Sequence, residues 1–344
     1  MNLTPALDWE PPHDWLRLTV IDSHTGGEPF RLVIDGLPEI PGANVLERRR
    51  HAEEHLDHLR KALMWEPRGH ADMYGGWLGT PTRDDSDISV LFLHNDGFST
   101  MCGHGIVALT KIVLDTGMLP GRAPETTIRI DTPAGQVTAT AGIVNGVVTT
   151  VRFENVASFA PTLDGSVQVP GLGEVRFDIG FGGAFYAYVA ADSVGADLDD
   201  PTDLITKGRL IKRAVSRSID ITHPDEPDLG FLYGVIFTGP PREPDNHSRN
   251  VCVFADGEVD RSPTGTGVSG RLAILHARGE VAIDEPIVVE SVVGSEFAGR
   301  VIATTTVGIY EAVVPEVTGT AHIIGRAQLW VDPDDVLNPG FLLR

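Results

Sequence analysis

Only two cysteines, Cys102 and Cys252, occur in the 344 residues. Two thiols cannot build a disulfide framework, and a chain of this length in an oxidising compartment usually carries more, so the sequence reads as cytoplasmic. Basic residues are scarce too: Lys plus Arg number 27 against 48 Asp plus Glu, a formal net charge of −21. Such a field repels phosphate backbones and anionic lipid headgroups, which argues against nucleic acid and membrane surfaces as partners. Residues 1–17 lack the cationic start and apolar stretch of an export signal and hold Glu10, Pro11 and Pro12 instead. The uncharged stretch 135–151 is rich in Thr and Gly and carries Asn145-Gly146, which marks a β-hairpin rather than a membrane span.

What is abundant is glycine and proline, 38 and 24 residues. The pair exceeds its usual share of ~12%, which favours many short strands over long helices. The length suits two domains of ordinary size or one large one.

The chain is written twice. Asp22, Gly26, Gly27, Phe30 and Val33 are answered in register by Asp178, Gly182, Gly183, Tyr186 and Val189. Further on, Cys102-Gly-His-Gly-Ile106 is answered by Thr264-Gly-Thr-Gly-Val268, and each opens an apolar helical stretch that ends near Gly117 or Gly279. Each G-x-G also follows a strand-like run and an Asp-Gly turn, Asp96-Gly97 or Asp256-Gly257. Two motifs in the same order point to duplication. Beyond the two helices after G-x-G, residues 45–65 carry the clearest helical pattern, stopped by Pro67. Strands are expected at 126–130, 137–144, 147–153, 174–179, 185–189, 287–293, 300–307 and 319–331, and the Asp-rich 192–203 reads as a surface excursion. The expected architecture is α/β (α+β), with two pseudo-symmetric halves, each a curved sheet around a central helix. The first covers 1–165, joined by the tail 332–344, and the second covers 166–331.

Three motifs could carry chemistry. His51-Ala-Glu-Glu-His55, with His58 beyond, fits the H-x-x-E-H zinc pattern and would place three histidines on one helix face. The flanking Arg48, Arg49, Arg50, Arg60 and Lys61 describe instead a solvated, ion-paired face, and no third ligand is evident downstream. Gly265-Thr-Gly-Val-Ser-Gly270 matches a dinucleotide fingerprint, but Ser262-Pro263 stands where a strand should run straight into the turn. Both G-x-G turns share simpler physics: a Gly-rich turn opening a helix exposes free N–H groups and the positive dipole end, which suits a carboxylate. Cys102 sits at such a helix start, where the dipole lowers a thiol's pKa, so it reads as a reactive thiolate rather than as core. Cys252, in the apolar run 251–254, reads as packed core. At the matching position stands Thr264, whose hydroxyl is too weakly acidic for a general base, so the duplicated site is chemically one-handed. Asp260 and His104 are placed to meet a substrate with both a carboxylate and an ammonium group.

The segments Asp22-Ser-His-Thr-Gly-Gly-Glu-Pro29, Glu66-Pro-Arg-Gly-His-Ala-Asp-Met73, Met101-Cys-Gly-His-Gly105, Gly182-Gly-Ala-Phe-Tyr186 and Asp260-Arg-Ser-Pro-Thr-Gly-Thr-Gly267 resemble the proline racemase family over about 16–342. The resemblance implies the diaminopimelate epimerase-like fold, with the active site in the cleft between two pseudo-symmetric domains. Racemases and 4-hydroxyproline epimerases of the family use two cysteines, one on each face of the α-carbon. Here Thr264 replaces the second, a pattern the family associates with trans-3-hydroxy-L-proline dehydratases, which form a pyrroline-2-carboxylate from a small imino acid. The catalytic pair implied is Cys102 and Thr264. Around them, N–H groups at Gly103, His104, Gly265 and Thr266 would hold the carbanion. Asp260 and His104 would line the amine, Tyr74 and Phe254 would wall the pocket, and His247 would contact the ring substituent. No metal or organic cofactor is implied, and family members often form homodimers. The rival expectations are a two-base racemase or epimerase, a non-catalytic imino-acid binding protein, and a zinc hydrolase.

Overall fold

The computed structural model describes residues 3, 4 and 9–343. Residues 1, 2, 5–8 and 344, at the two ends of the expected first half, lie outside the described residues.

The first half opens with the antiparallel strands β1 (Leu16–Thr25) and β2 (Glu28–Asp35), turned at Gly26 and Gly27, both at positive φ. Helices α1 (Val45–His55) and α2 (Asp57–Met64) carry the chain to β3 (Tyr74–Gly79), parallel to β2. Strand β4 (Ile88–His94) returns antiparallel to β3 and is followed by β5 (Phe98–Ser99) and α3 (Gly103–Asp115). Then β6 (Glu125–Thr132) pairs parallel with β4, and β7 (Gly135–Val144) and β8 (Val147–Glu154) complete the half. The β7–β8 hairpin turns on Asn145 and Gly146, both at positive φ, as the Asn-Gly pair demands.

The second half repeats this wiring. After β9 (Ser158–Val169), β10 (Gly173–Phe181) and β11 (Phe185–Ala190) form the hairpin, and α4 (Pro201–Ser218) leads to β12 (Leu232–Gly239), parallel to β11. Strands β13 (Ser248–Phe254) and β14 (Glu258–Val259) precede α5 (Gly265–Ala277), and β15 (Ile287–Glu290) lies parallel to β13. Strands β16 (Glu296–Val307), β17 (Tyr310–Gly319) and β18 (Ala321–Val331) follow. Strand β18 closes on β1 as β9 closes on β10, and β17 bonds to both β8 and β9, which seams the halves together. A boundary after residue 165 falls inside β9, and β18 pairs with the first half although 331 was the expected limit of the second. The pairing supports a division near 155–158 with 321–343 returning to the first half. The tail is anchored there by paired backbone bonds between Glu66 and Phe341.

Every residue of α3 from Gly103 to Leu114 is buried, as expected of a helix without a polar face wrapped by strands. Among the helices, two differences from the sequence reading stand out. The helix expected over 45–65 breaks at Leu56, so His51 and His55, with rings 4.6 Å apart on α1, are separated from His58 on α2. The three histidines therefore do not share one continuous helix face. The second difference is α4, which was not expected: Asp200 accepts from the N–H groups of Thr202 and Asp203 and Pro201 takes the first turn, a helix start at the end of the stretch read as an excursion. Among the described residues no helix is long and apolar enough to cross a membrane.

Candidate active site

The two Gly-rich turns bring the first turns of α3 and α5 together end to end. A Cβ on Gly103 would fall 2.5 Å from Gly265 Cα, and one on Gly265 would fall 2.8 Å from Gly103 Cα. Only glycine permits this approach of backbone to backbone. Both helices thus aim N–H groups without intrahelical partners, and their positive ends, at one small cavity between the halves. A carboxylate is the ligand such a place favours.

Cys102 occupies the N-cap of α3, where its sulfur accepts from the Gly105 N–H at 3.2 Å and lies 3.2 Å from His104 Nδ1. Burial pushes its thiol well above the ordinary range, and the Asp260 and Glu28 carboxylates add to this, while the Gly105 N–H and the Tyr74 hydroxyl favour the thiolate. The expectation of a pKa lowered by the helix end is therefore corrected: loss of water around the sulfur outweighs the favourable N–H. His104 is driven by burial to about 3, so its imidazole is neutral, and its ring packs edge-on to Tyr74.

Across the cavity, Thr264 holds the matching place before α5, with φ +66°, unusual for a β-branched residue. Its Oγ1 is buried without a hydrogen bond of good geometry, with the Asp260 carboxylate and the Cys252 sulfur among its polar neighbours. Asp260 receives the Ser262 N–H at 2.7 Å and is raised by burial to about 6. Cys252 is fully buried in β13, as its apolar run implied.

The cavity wall brings together Cys102, Gly103, His104, Tyr74, Phe254, Asp260, Thr264, Gly265 and Thr266, every candidate from the sequence except one. His247 is the exception: it does not line the cavity. It lies beside Ser248, with its ring nitrogen 2.9 Å from the hydroxyl, at the far end of β13 from Phe254, so its assignment to the ring substituent is corrected. The wall also includes Met101, Tyr186 and Tyr233, to which the sequence reading gave no role. Tyr233 had a legible signal, because Tyr233-Gly234 repeats Tyr74-Gly75 at the start of the matching strand. Tyr186 bonds the Thr266 hydroxyl at 2.8 Å. The cavity measures only about 20 Å³, room for a water and not for a ring, so an imino acid requires the walls to part.

A family model, proline racemase, matches residues 20–342. The chain belongs to the proline racemase family. Among its relatives, a Colwellia psychrerythraea protein named trans-3-hydroxy-L-proline dehydratase is 46% identical over 98% of this chain and 96% of its own. A Burkholderia multivorans protein named 3-hydroxyproline 2-epimerase is 45% identical over 95% of this chain and 98% of its own. The crystal structure of a hydroxyproline epimerase from Agrobacterium vitis, with bound trans-4-hydroxy-L-proline, superposes with a TM-score of 0.91 at 32% identity, covering 96% of each chain.

In this proline racemase family member the touching helix ends lead to a direct prediction. Gly103→Ala or Gly265→Ala sets a methyl against backbone, which costs ~1–3 kcal/mol by overpacking. It also displaces the N–H groups, and a shift of ~1 Å lowers catalysis ~10²-fold. Thermal melting and steady-state kinetics on each variant check both effects, and wild-type kinetics in either would show that the contact is dispensable.

The pH dependence follows from the same residues. Asp260 is anionic above about 6, and the Cys102 thiolate grows as pH rises because its pKa lies high. If, as proposed below, Asp260 receives a substrate ammonium group and Cys102 abstracts a proton, both act in their deprotonated forms. Log kcat/KM is therefore expected to rise with a slope of about 2 below Asp260's ionisation and about 1 above it. A profile flat from mildly acidic to alkaline pH would contradict both assignments.

Proposed function

We propose that this chain is a trans-3-hydroxy-L-proline dehydratase that uses one base, Cys102. The observation that carries this reading is the pairing of a thiol at one helix N-terminus with a threonine, Thr264, at the other. In trans-3-hydroxy-L-proline the hydroxyl lies opposite the carboxylate and hence on the same ring face as the α-hydrogen, so a single group on that face can serve both. The substrate carboxylate takes N–H groups at the meeting of α3 and α5, and its ammonium pairs with Asp260. That cation also offsets one carboxylate that holds the Cys102 thiol up, so substrate binding favours the thiolate.

Cys102 thiolate then removes the α-proton, and the electron pair is accommodated by the carboxylate under the N–H groups of Gly103, His104, Gly265 and Thr266. The C3–O bond breaks, the Cys102 thiol returns its proton to the departing hydroxide as water, and the enamine left behind tautomerises to a pyrroline-2-carboxylate. The step needs no cofactor. Two free thiols fit the reducing cytoplasm as its compartment. The test is incubation with trans-3-hydroxy-L-proline in the presence of EDTA, with pyrroline scored by o-aminobenzaldehyde. No product, or product only after zinc is restored, would overturn the reading.

The similarity to a 3-hydroxyproline 2-epimerase favours a second reading, inversion at the α-carbon. Inversion requires a proton donor on the Thr264 face, and a threonine hydroxyl, even with the Asp260 carboxylate beside it, is too weak an acid to serve as that donor.

A further inference from the structure

A second and much larger cleft, about 600 Å³, opens on the outer side of Tyr233. Tyr233 belongs to both spaces, lining the outer cleft and the inner cavity, and with His94 it forms an aromatic partition, their rings 5.7 Å apart. The cleft straddles the two halves, with Arg49 and Asp96 on one side and α4 on the other. In a chain of net charge −21 it gathers five cations, Arg49, Arg209, Lys212, Arg213 and Arg217, against Glu53, Asp96 and Asp256.

These cations are not equivalent. Arg209 and Lys212 hold the turn at Ala255 and Asp256 by bonds to its carbonyls, and Arg49 pairs with Glu53 at 2.8 Å. Arg213 is exposed and has its carboxylate partner, Asp256, only at 4.0 Å. Arg217 is exposed and makes no hydrogen bond or ion pair among the described residues. At physiological salt, charges farther off than ~8 Å are largely screened, so an anion in the cleft feels these guanidinium groups more than the net charge.

We propose that this cleft is a carboxylate-binding antechamber, in which Arg213 and Arg217 hold imino-acid carboxylates before the partition at Tyr233 opens and after the product returns. The ligand class rests on the dehydratase reading. An imine is far less basic than a secondary amine, so the pyrroline product leaves with more net negative charge than the substrate, and the antechamber draws it outward.

The test compares alkylation of Cys102 by anionic iodoacetate and neutral iodoacetamide, located by mass spectrometry, in wild type and in Arg213→Glu/Arg217→Glu. Charge reversal is expected to slow iodoacetate about 3- to 10-fold at low ionic strength, with the difference lost at high salt, and to leave iodoacetamide unchanged. Arg122→Glu, an exposed site outside the cleft, is expected to change neither rate. Equal effects on both reagents, or none on iodoacetate, would overturn the antechamber. Turnover is scored separately: a wild type that forms no pyrroline overturns the dehydratase reading, while the reagent ratio still decides whether the cleft guides carboxylates.

Discussion

Cys102→Ser is expected to lower kcat for trans-3-hydroxy-L-proline about 10²- to 10⁴-fold, the range contributed by a positioned acid/base. The substitution is nearly isosteric, and the serine oxygen can take over the N-cap bond from Gly105 that the sulfur accepts now. The fold should therefore persist, with unchanged circular dichroism and thermal midpoint. What is lost is the ionisation: a hydroxyl beside Asp260 and Glu28 in a buried cavity does not become an alkoxide at neutral pH. A variant retaining more than about a tenth of the wild-type rate would remove the thiolate from the mechanism.

The second large effect is a gain. Thr264→Cys places a thiol at the N-terminus of α5, in the wall of the cavity that Cys102 also lines, and on the proposed reading, in which position 264 meets the α-carbon from the opposite face, it supplies a second acid/base. The variant is expected to epimerise L-proline or trans-4-hydroxy-L-proline detectably, with α-deuterium uptake from D2O, whereas wild type gives none. The assay needs reductant, because Cys252 lies beside position 264 and could be oxidised with the new thiol. Residue 264 sits at φ +66°, which a residue without β-branching occupies with less strain, so the backbone should tolerate the change. The gain is expected to be modest, since the surrounding pocket is not tuned for both enantiomers. Chiral chromatography that finds no inversion would show that Thr264 does not occupy the opposing face.

The parts of this site that could be read from sequence are those set by backbone geometry. Glycines at 103, 105, 265 and 267 mark the two turns because added side chains would strike backbone or packed side chains there: Gly265 and Gly103 across the helix junction, Phe92 and Phe30 around Gly105, Ile236 at Gly267. The duplication was legible because it is carried by such positions. What escaped depends on packing. The buried stripe of α4 is Leu204, Gly208, Ile211 and Val215, and Gly208, which presses against Val253, dilutes the apolar period. Strand β9 contains Pro161 and Gly165 and pairs with β10 through shifts in register, so it shows no alternation to follow. His247 is four residues from Val251 in sequence, yet strand direction carries it to the opposite end of β13 from the cavity. The pKa of Cys102 departs from the sequence expectation for the same reason: helix position can be read along the chain, and the enclosure that raises the thiol cannot.

The central claim is that one thiol, on one face, removes the α-proton and expels the hydroxyl. Wild-type enzyme incubated with trans-3-hydroxy-L-proline in D2O, with the remaining substrate analysed by chiral chromatography and mass spectrometry, tests it most directly. The account predicts pyrroline formation while the recovered substrate keeps its L configuration. Accumulation of α-deuterated cis-3-hydroxy-D-proline at a rate comparable to dehydration would contradict it, because a second acid/base would then be working from the Thr264 face.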